Sequence, residues 1–237
     1  MNMMFDAEYD HRLDSNGQDP DTHSPTLKLQ HQLLWSKSLP RGLLFDLQPE
    51  PGKYLIHNSP LGEFHLSSDS ISHSLREQKR MQAIIEKIPA SELVEFQAVG
   101  STIGARILFP GNRIDGQATI NAARGFSSKI NDRFDLSLEC IRLHYLRQSN
   151  PLETTLSLYS EFFGLFDSFE GYVKFFLLQD LVNANCTEVE FFLPHDSSFE
   201  RSPRPDSVES YMQYKKNTIE FVKARNRRIQ SWVEANL

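Results

Sequence analysis

Apolar residues along this chain recur at helical spacing in some stretches and alternate with polar ones in others. After Ser24-Pro25, the residues Leu27, Leu33, Leu34 and Trp35 trace a short helical pattern. A capping residue before a proline at the first helical position is a start signal. Three strand-like runs follow, "GLLFDL", "KYLIHN" and "GEFHLS", separated by proline and glycine turns, and "NSPLG" between the last two predicts a hairpin loop. Residues 70–88 read as a charged helix, and "SELVEFQAVG" as a second, short one ending at Gly100. "TIGARILF" then reads as a strand. Pro110-Gly111 and Asp115-Gly116 are turn signals, and "QATIN" is expected to be the return strand. The stretch "FPGNRIDGQATINAARGF" thus predicts a hairpin with a long, arginine-bearing loop.

The second half is dominated by helical periodicity. Asp132 followed by Asp135 resembles a capping box, with Phe134, Leu138, Ile141 and Tyr145 as the buried stripe. Asn150-Pro151-Leu152-Glu153 opens "PLETTLSLYSEFFGLF" with a cap and a proline at the first position. "FEGYVKFFLLQDLV" is apolar on nearly all sides, which predicts a central helix. "TEVEFFL" alternates as a late strand. After "ERSPRPD", Asp206 and Glu209 mark a last helix, to about Ala235, that buries Val208, Met212, Ile219, Val222, Ile229 and Val233. The order of elements predicts an α+β fold, a small antiparallel sheet covered by a predominantly helical C-terminal half. Residues 1–24 are polar, acidic and broken by Gly and Pro, so a flexible N-terminal arm is expected, followed by one globular domain over 25–237.

Composition adds a core and removes some partners. Among 237 residues are 17 phenylalanines, three pairs of them adjacent (Phe162–Phe163, Phe175–Phe176, Phe191–Phe192), and aromatic burial on that scale is a strong folding force. The net charge of −6 argues against coating nucleic acid by bulk charge. Cys140 and Cys186 have no metal-ligand or disulfide-framework spacing, which fits a reducing cytosol. No apolar run follows a basic start and none is long enough for a bilayer, so a soluble, cytoplasmic protein without a membrane partner is expected.

Candidate chemistry concentrates between residues 109 and 144. The phosphate-loop, dinucleotide, zinc-protease and nucleophile-elbow motifs are all missing. Glu77-Gln78-Lys79 has the Glu-x-Lys form of a nuclease motif but sits in a charged helical run, and is rejected. Asn112, Arg113, Asn121, Arg124 and Arg142 are the expected ligand-binding residues, because arginine forks beside glycines hold phosphate or carboxylate well. Asp132, Asp135 and Glu139 are the expected catalytic carboxylates, suited to a divalent cation or a general-base role. A structural network bridging hairpin to helix would use the same residue types.

Two smaller constellations stand beside it. His57, Glu63, His65 and Asp69 flank a tight turn, where two histidines and a carboxylate can hold zinc or iron, though exposed polar residues on an open hairpin explain them equally. Lys216, Lys223, Arg225, Arg227 and Arg228 make the end of the last helix basic, as a phosphate or acidic-partner contact or simply by the preference for cations there. In "LLWSKSLPRG", Trp35, Leu39 and Pro40 are expected to anchor the arm to the core.

The phrases "SPTLKLQHQLLWSKSLPRG", "SPLGEFHLSSDS", "FPGNRIDGQATINAARGF", "DRFDLSLECIR" and "FEGYVKFFLLQDLV" together resemble a bacterial family catalogued only as a domain of unknown function. The resemblance spans the chain from about residue 18 onwards, implies a free-standing bacterial protein, and carries no activity or cofactor. Two functional readings stay open. One is binding or processing of a phosphate-bearing ligand, a nucleotide or a nucleic-acid end, through the Arg/Asn/Asp cluster. The other is a non-catalytic protein-interaction or regulatory module whose Arg/Asp network is structural. Whether the chain is an enzyme is open, and so is the identity of any cofactor.

Overall fold

A computed structural model describes residues 5–49, 55–59, 62–72 and 75–236, with the side chains of 49, 56–59, 62, 75 and 76 left undescribed. In chain order, helices α1 (Pro20–His23) and α2 (Pro25–Trp35) precede strands β1 (Lys37–Ser38), β2 (Leu44–Pro49), β3 (Leu55–Ser59) and β4 (Gly62–Ser70). Helices α3 (Leu75–Arg80), α4 (Gln82–Ile85) and α5 (Ala90–Val99) lead to strand β5 (Arg106–Pro110). Then come α6 (Ile120–Phe126), α7 (Phe134–Tyr145), α8 (Glu153–Leu158), α9 (Ser160–Gly164), α10 (Phe169–Phe175) and the long α11 (Val208–Asn236). The strands form an antiparallel meander in the order β1-β2-β3-β4-β5. The fold is α+β. Among the described residues no helix is long and apolar enough to cross a membrane.

Local chemistry explains where α2 begins and which side it buries. Ser24 Oγ accepts from the backbone N–H of Leu27 at 3.1 Å, with Pro25 at the first helical position. Leu27, Gln30, His31, Leu34 and Trp35 then recur at three- and four-residue spacing and face inward. Phe45 and Leu47 of β2 point to the same core, while Leu44, the first residue of the strand, faces the other way and stays exposed. Strand β5 is buried along its whole length, because helices cover the edge it would otherwise present to solvent. An aromatic cluster joins the layers: Phe166 lies 5.0 Å from Phe175, 5.3 Å from Phe176 and 5.4 Å from Phe162 between ring centres.

Several expectations are corrected. The segment 5–24 is fastened to the body, where a flexible arm was expected. His11 is fully buried, its Nδ1 2.6 Å from the carbonyl of Ser101 and its Nε2 2.8 Å from Gln30 Oε1. Asp14 accepts from Ser24 Oγ at 2.5 Å and from the N–H of Thr26 at 3.0 Å, and Asp21 accepts from Arg106 at 3.0 Å. The polar residues that suggested disorder are spent as caps and interior partners.

The expected return strand "QATIN" is absent. β5 ends at Pro110, and Thr119 Oγ1 caps α6 by accepting from the N–H of Ala122 at 3.3 Å. Ile120 and Arg124, four residues apart, form the buried face of that helix. The turn signal was real, with Asp115 and Gly116 both in the left-handed region, but the chain after it coils. "TEVEFFL" is likewise not a strand and contributes only an isolated bridge between Val182 and Val189. Its first half pairs with the 181–183 backbone, Glu190 N–H donating to the Leu181 carbonyl at 3.0 Å, and its second half is satisfied by side chains: Phe192 N–H donates to Asp135 Oδ2 at 2.9 Å, Asn217 donates to the Phe192 carbonyl at 2.8 Å, and Arg133 to the Leu193 carbonyl at 3.2 Å.

The capping box at Asp132 does not form. Asp132 adopts a positive φ of 65°, and Arg133 takes the cap position with no side-chain capping bond. The helix expected over 151–166 breaks at Tyr159 into α8 and α9, and the one expected over 169–182 stops at Phe175. Lys53, Tyr54, Pro60 and Leu61 of the early strand region lie outside the described residues.

Candidate functional site

The central arginine is positioned by a match between a helix and a strand. Asn121 and Arg124 lie three apart on α6, and Ser67 and Asp69 lie two apart on β4. Asn121 Nδ2 donates to Ser67 Oγ at 3.1 Å, and Arg124 Nη1 donates to Asp69 Oδ2. Arg124 is fully buried. Its Nε donates to Ser137 Oγ at 2.8 Å, its Nη2 to the Asp132 carbonyl at 3.2 Å, and the Asp132 carboxylate is 3.6 Å away. The guanidinium also stands 5.6 Å and 5.8 Å from the ring centres of Phe109 and Phe134. Burial pushes the Asp69 carboxyl up from the ordinary range; Arg124 opposes this, and Asp132 and Asp21 add repulsion.

The other expected residues separate into two further pairs and an open loop. Asp135 is fully buried against Arg133, whose Nε donates to it at 3.1 Å and whose Nη1 donates to the Pro203 carbonyl at 3.1 Å. Glu139 takes a two-point contact from Arg142, both bonds at 2.7 Å, and a third bond from Ser197 Oγ at 2.5 Å. Asn112 and Arg113 are exposed, and the Asn112 backbone is anchored, its carbonyl accepting from Tyr159 Oη at 2.6 Å. The structure therefore joins Arg124 and Asp132 in one network with Asp69, while Asn121 bonds separately to Ser67 on the same strand. Asp135 goes to Arg133, Glu139 goes to Arg142, and Arg113 stays on the loop. Two-point arginine–carboxylate contacts with extra hydrogen bonds are what interior charges need to be tolerated.

The secondary candidates are accounted for in the same way. His65 Nε2 lies 2.9 Å from Glu63 Oε1, Asp69 is engaged by Arg124, and the His57 side chain lies outside the described residues. Among the described residues no group of three or more His, Cys, Asp or Glu side chains is placed to hold a metal ion. On α11, Lys223 pairs with Glu95 at 2.5 Å and Arg228 with Asp180 at 2.8 Å. Arg225 turns fully inward and donates to the carbonyls of Phe176, Gly104 and Arg106 at 2.8, 3.0 and 2.6 Å.

One site was not anticipated. Lys37 of β1 stands among the rings of Trp35, Phe175 and Trp232, beside a cavity of about 490 Å³. The only local signal was a cation two residues after a tryptophan in "LLWSKSLP"; the other walls come from α10 and α11, far along the chain.

No curated protein and no solved structure matches this chain. The model of a family of unknown function, DUF6994, matches residues 5–229, and the chain belongs to that family.

Proposed function

We propose that this protein is a non-catalytic interaction or regulatory module whose Arg/Asp network is structural, acting in the bacterial cytosol. The observation that carries this reading is Arg124, fully buried, with its guanidinium spent on Asp69, Ser137 and Asp132. An arginine that receives a phosphate group needs donors facing solvent, and the carboxylates beside it need an open coordination position. Asp135 and Glu139 are closed off in the same manner by Arg133 and Arg142. The cytosolic assignment is supported by two cysteines that are both free.

The competing reading is a phosphate-bearing ligand, and exposed Arg113 is the group through which it would act. Thermal melts with ATP, inorganic phosphate and polyphosphate, each with and without Mg²⁺, separate the two. A ligand at a hundredfold its Kd adds about 2.7 kcal/mol of stability, a readily measured shift. The interaction reading expects no such shift in the wild type. A shift that disappears in Arg113→Ala would overturn it in favour of the phosphate ligand.

A further inference from the structure

The amine of Lys37 is enclosed on three sides by aromatic rings, with Nζ at 4.9 Å from the Trp35 centre, 4.8 Å from Phe175 and 4.7 Å from Trp232. Three separate elements build this enclosure. Trp35 ends α2, Phe175 ends α10, and Trp232 lies near the end of α11. Among the described residues, no carboxylate and no hydrogen-bond acceptor pairs with Lys37. The charged groups that face it are few. Arg225, from α11, is a buried cation that repels a second one. Glu170 and Lys174, from α10, line the same cavity but pair with each other at 2.5 Å.

The cavity of about 490 Å³ also takes in Ser38, Pro40, Ser168 and Gly171. Its size falls within the range of about 300–1,000 Å³ usual for small-molecule sites. Burial, seconded by the charge of Arg225, pushes the Lys37 amine down to about 7. The rings attract an ammonium, and they also exclude the water that would solvate it. The result is a primary amine at the wall of a pocket, partly neutral at neutral pH and, among the described residues, with no hydrogen bond that would occupy its lone pair. That is the recognised condition for a lysine nucleophile towards carbonyl compounds.

We propose that Lys37 forms an imine with a small, flat aldehyde or ketone held against the aromatic walls of this cavity. The neutral Nζ attacks the carbonyl carbon and forms the new C–N bond. Nitrogen gives up both its hydrogens in turn, the carbonyl oxygen takes them and leaves as water, and no electrons are transferred to or from any other group. The reaction is reversible, so the site can serve to sense or carry such a compound. It does not depend on the interaction role proposed for the Arg124 network, which involves other elements.

The test is trapping on the full chain. The protein is incubated with salicylaldehyde, or with glyoxylate as a small polar comparison, in the presence of cyanoborohydride, and the reduced adducts are mapped by mass spectrometry. At pH 7 an ordinary lysine has roughly one neutral amine in 10³ to 10⁴ molecules. Lys37 is therefore expected to label on the order of 10³-fold faster than any of the nine other lysines. Its rate should level off above about pH 7, and salicylaldehyde should be preferred to glyoxylate. Trp232→Leu opens one wall and should move that inflection upward, while Lys37→Arg abolishes the adduct. Labelling spread evenly over surface lysines, or Lys37 reacting only in strongly alkaline solution, would overturn the proposal. Both outcomes are read on the wild-type chain and need no variant to fold.

Discussion

Trp35 donates its indole N–H to Nδ1 of His31 at 3.0 Å, and the opposite ring nitrogen of His31 lies 3.0 Å from Ser68 Oγ. An indole can only donate, so Nδ1 must accept and the ring is the neutral tautomer carrying its hydrogen on Nε2. This single relationship ties α2 to β4 and makes the interior sensitive to acid. Burial holds His31 well below its ordinary value of 6.5, and the charges of His11, Arg106 and Arg225 reinforce the effect. Unfolded His31 takes up a proton near that value while the folded ring refuses it. The unfolded state thus binds more protons below about pH 6.5, and stability falls as pH drops through that window. Urea midpoints measured from pH 7.5 to 4.5 should decline in the wild type and decline less steeply in His31→Gln.

Arg124 supplies the second prediction. Removing one partner from a buried ion pair leaves an uncompensated charge and costs about 3–5 kcal/mol. Arg124→Ala is expected to lose an amount of that order in urea unfolding, since Asp69 and Asp132 both face the vacated position. Arg113→Ala, on the exposed loop, should stay within about 0.5 kcal/mol of wild type. Equal losses at the two positions would contradict the assigned burial.

Asp69 gives a pH dependence of opposite sign to that of His31. Its folded carboxyl is raised above the ordinary 3.8 by burial and by the neighbouring Asp132 and Asp21, against the pull of Arg124. Folded Asp69 therefore retains a proton that the unfolded chain has already released, and this group's contribution to stability falls as pH rises above about 4. Carbon-13 NMR of the carboxyl groups should find one aspartate titrating above the others, and Asp69→Asn should remove that resonance. A spectrum with every aspartate at or below its ordinary value would refute the assignment.

Gly104 is the fourth test position. A Cβ there would lie 2.3 Å from Asn226 Oδ1 and 2.7 Å from the Val222 carbonyl. The same Asn226 oxygen accepts from the Gly104 N–H at 2.7 Å, and its amide donates to Thr102 Oγ1 at 2.9 Å. Gly104→Ala should therefore push α11 off the start of β5, at a cost of about 1–3 kcal/mol from overpacking, with the hydrogen bond lost in addition. Gly116→Ala meets no atom within 4 Å but sits at φ 72°, so it carries only the left-handed penalty of about 1–2 kcal/mol. Thermal melts of the two variants should rank them in that order.

The sequence by itself determined the elements whose causes are local. Ser24 and Pro25 set the start of α2, the run "GLLFDL" set β2, and the spacing of Ile219, Val222, Ile229 and Val233 set the inward side of α11, where the expected Val208 and Met212 are only half-buried. An α+β architecture followed from their order. Tertiary structure alone decided what the charged and ambiguous segments became. "QATIN" carries the same apolar content as a strand or a helix, and Thr119 capping with Arg124 bonding Asp69 made its last two residues the start of a helix. "TEVEFFL" alternates like a strand, yet after a single bridge at Val189 the backbone groups of Phe192 and Leu193 found Asp135, Arg133 and Asn217 instead of a strand. An arginine in sequence is a fork of donors with no stated direction. Whether it meets solvent, a phosphate or a buried carboxylate depends on chain 55 residues away, as for Arg124 and Asp69. Lys37 is the same lesson from the other side, since an ordinary surface lysine in the sequence becomes a desolvated amine only when α10 and α11 close Phe175 and Trp232 around it.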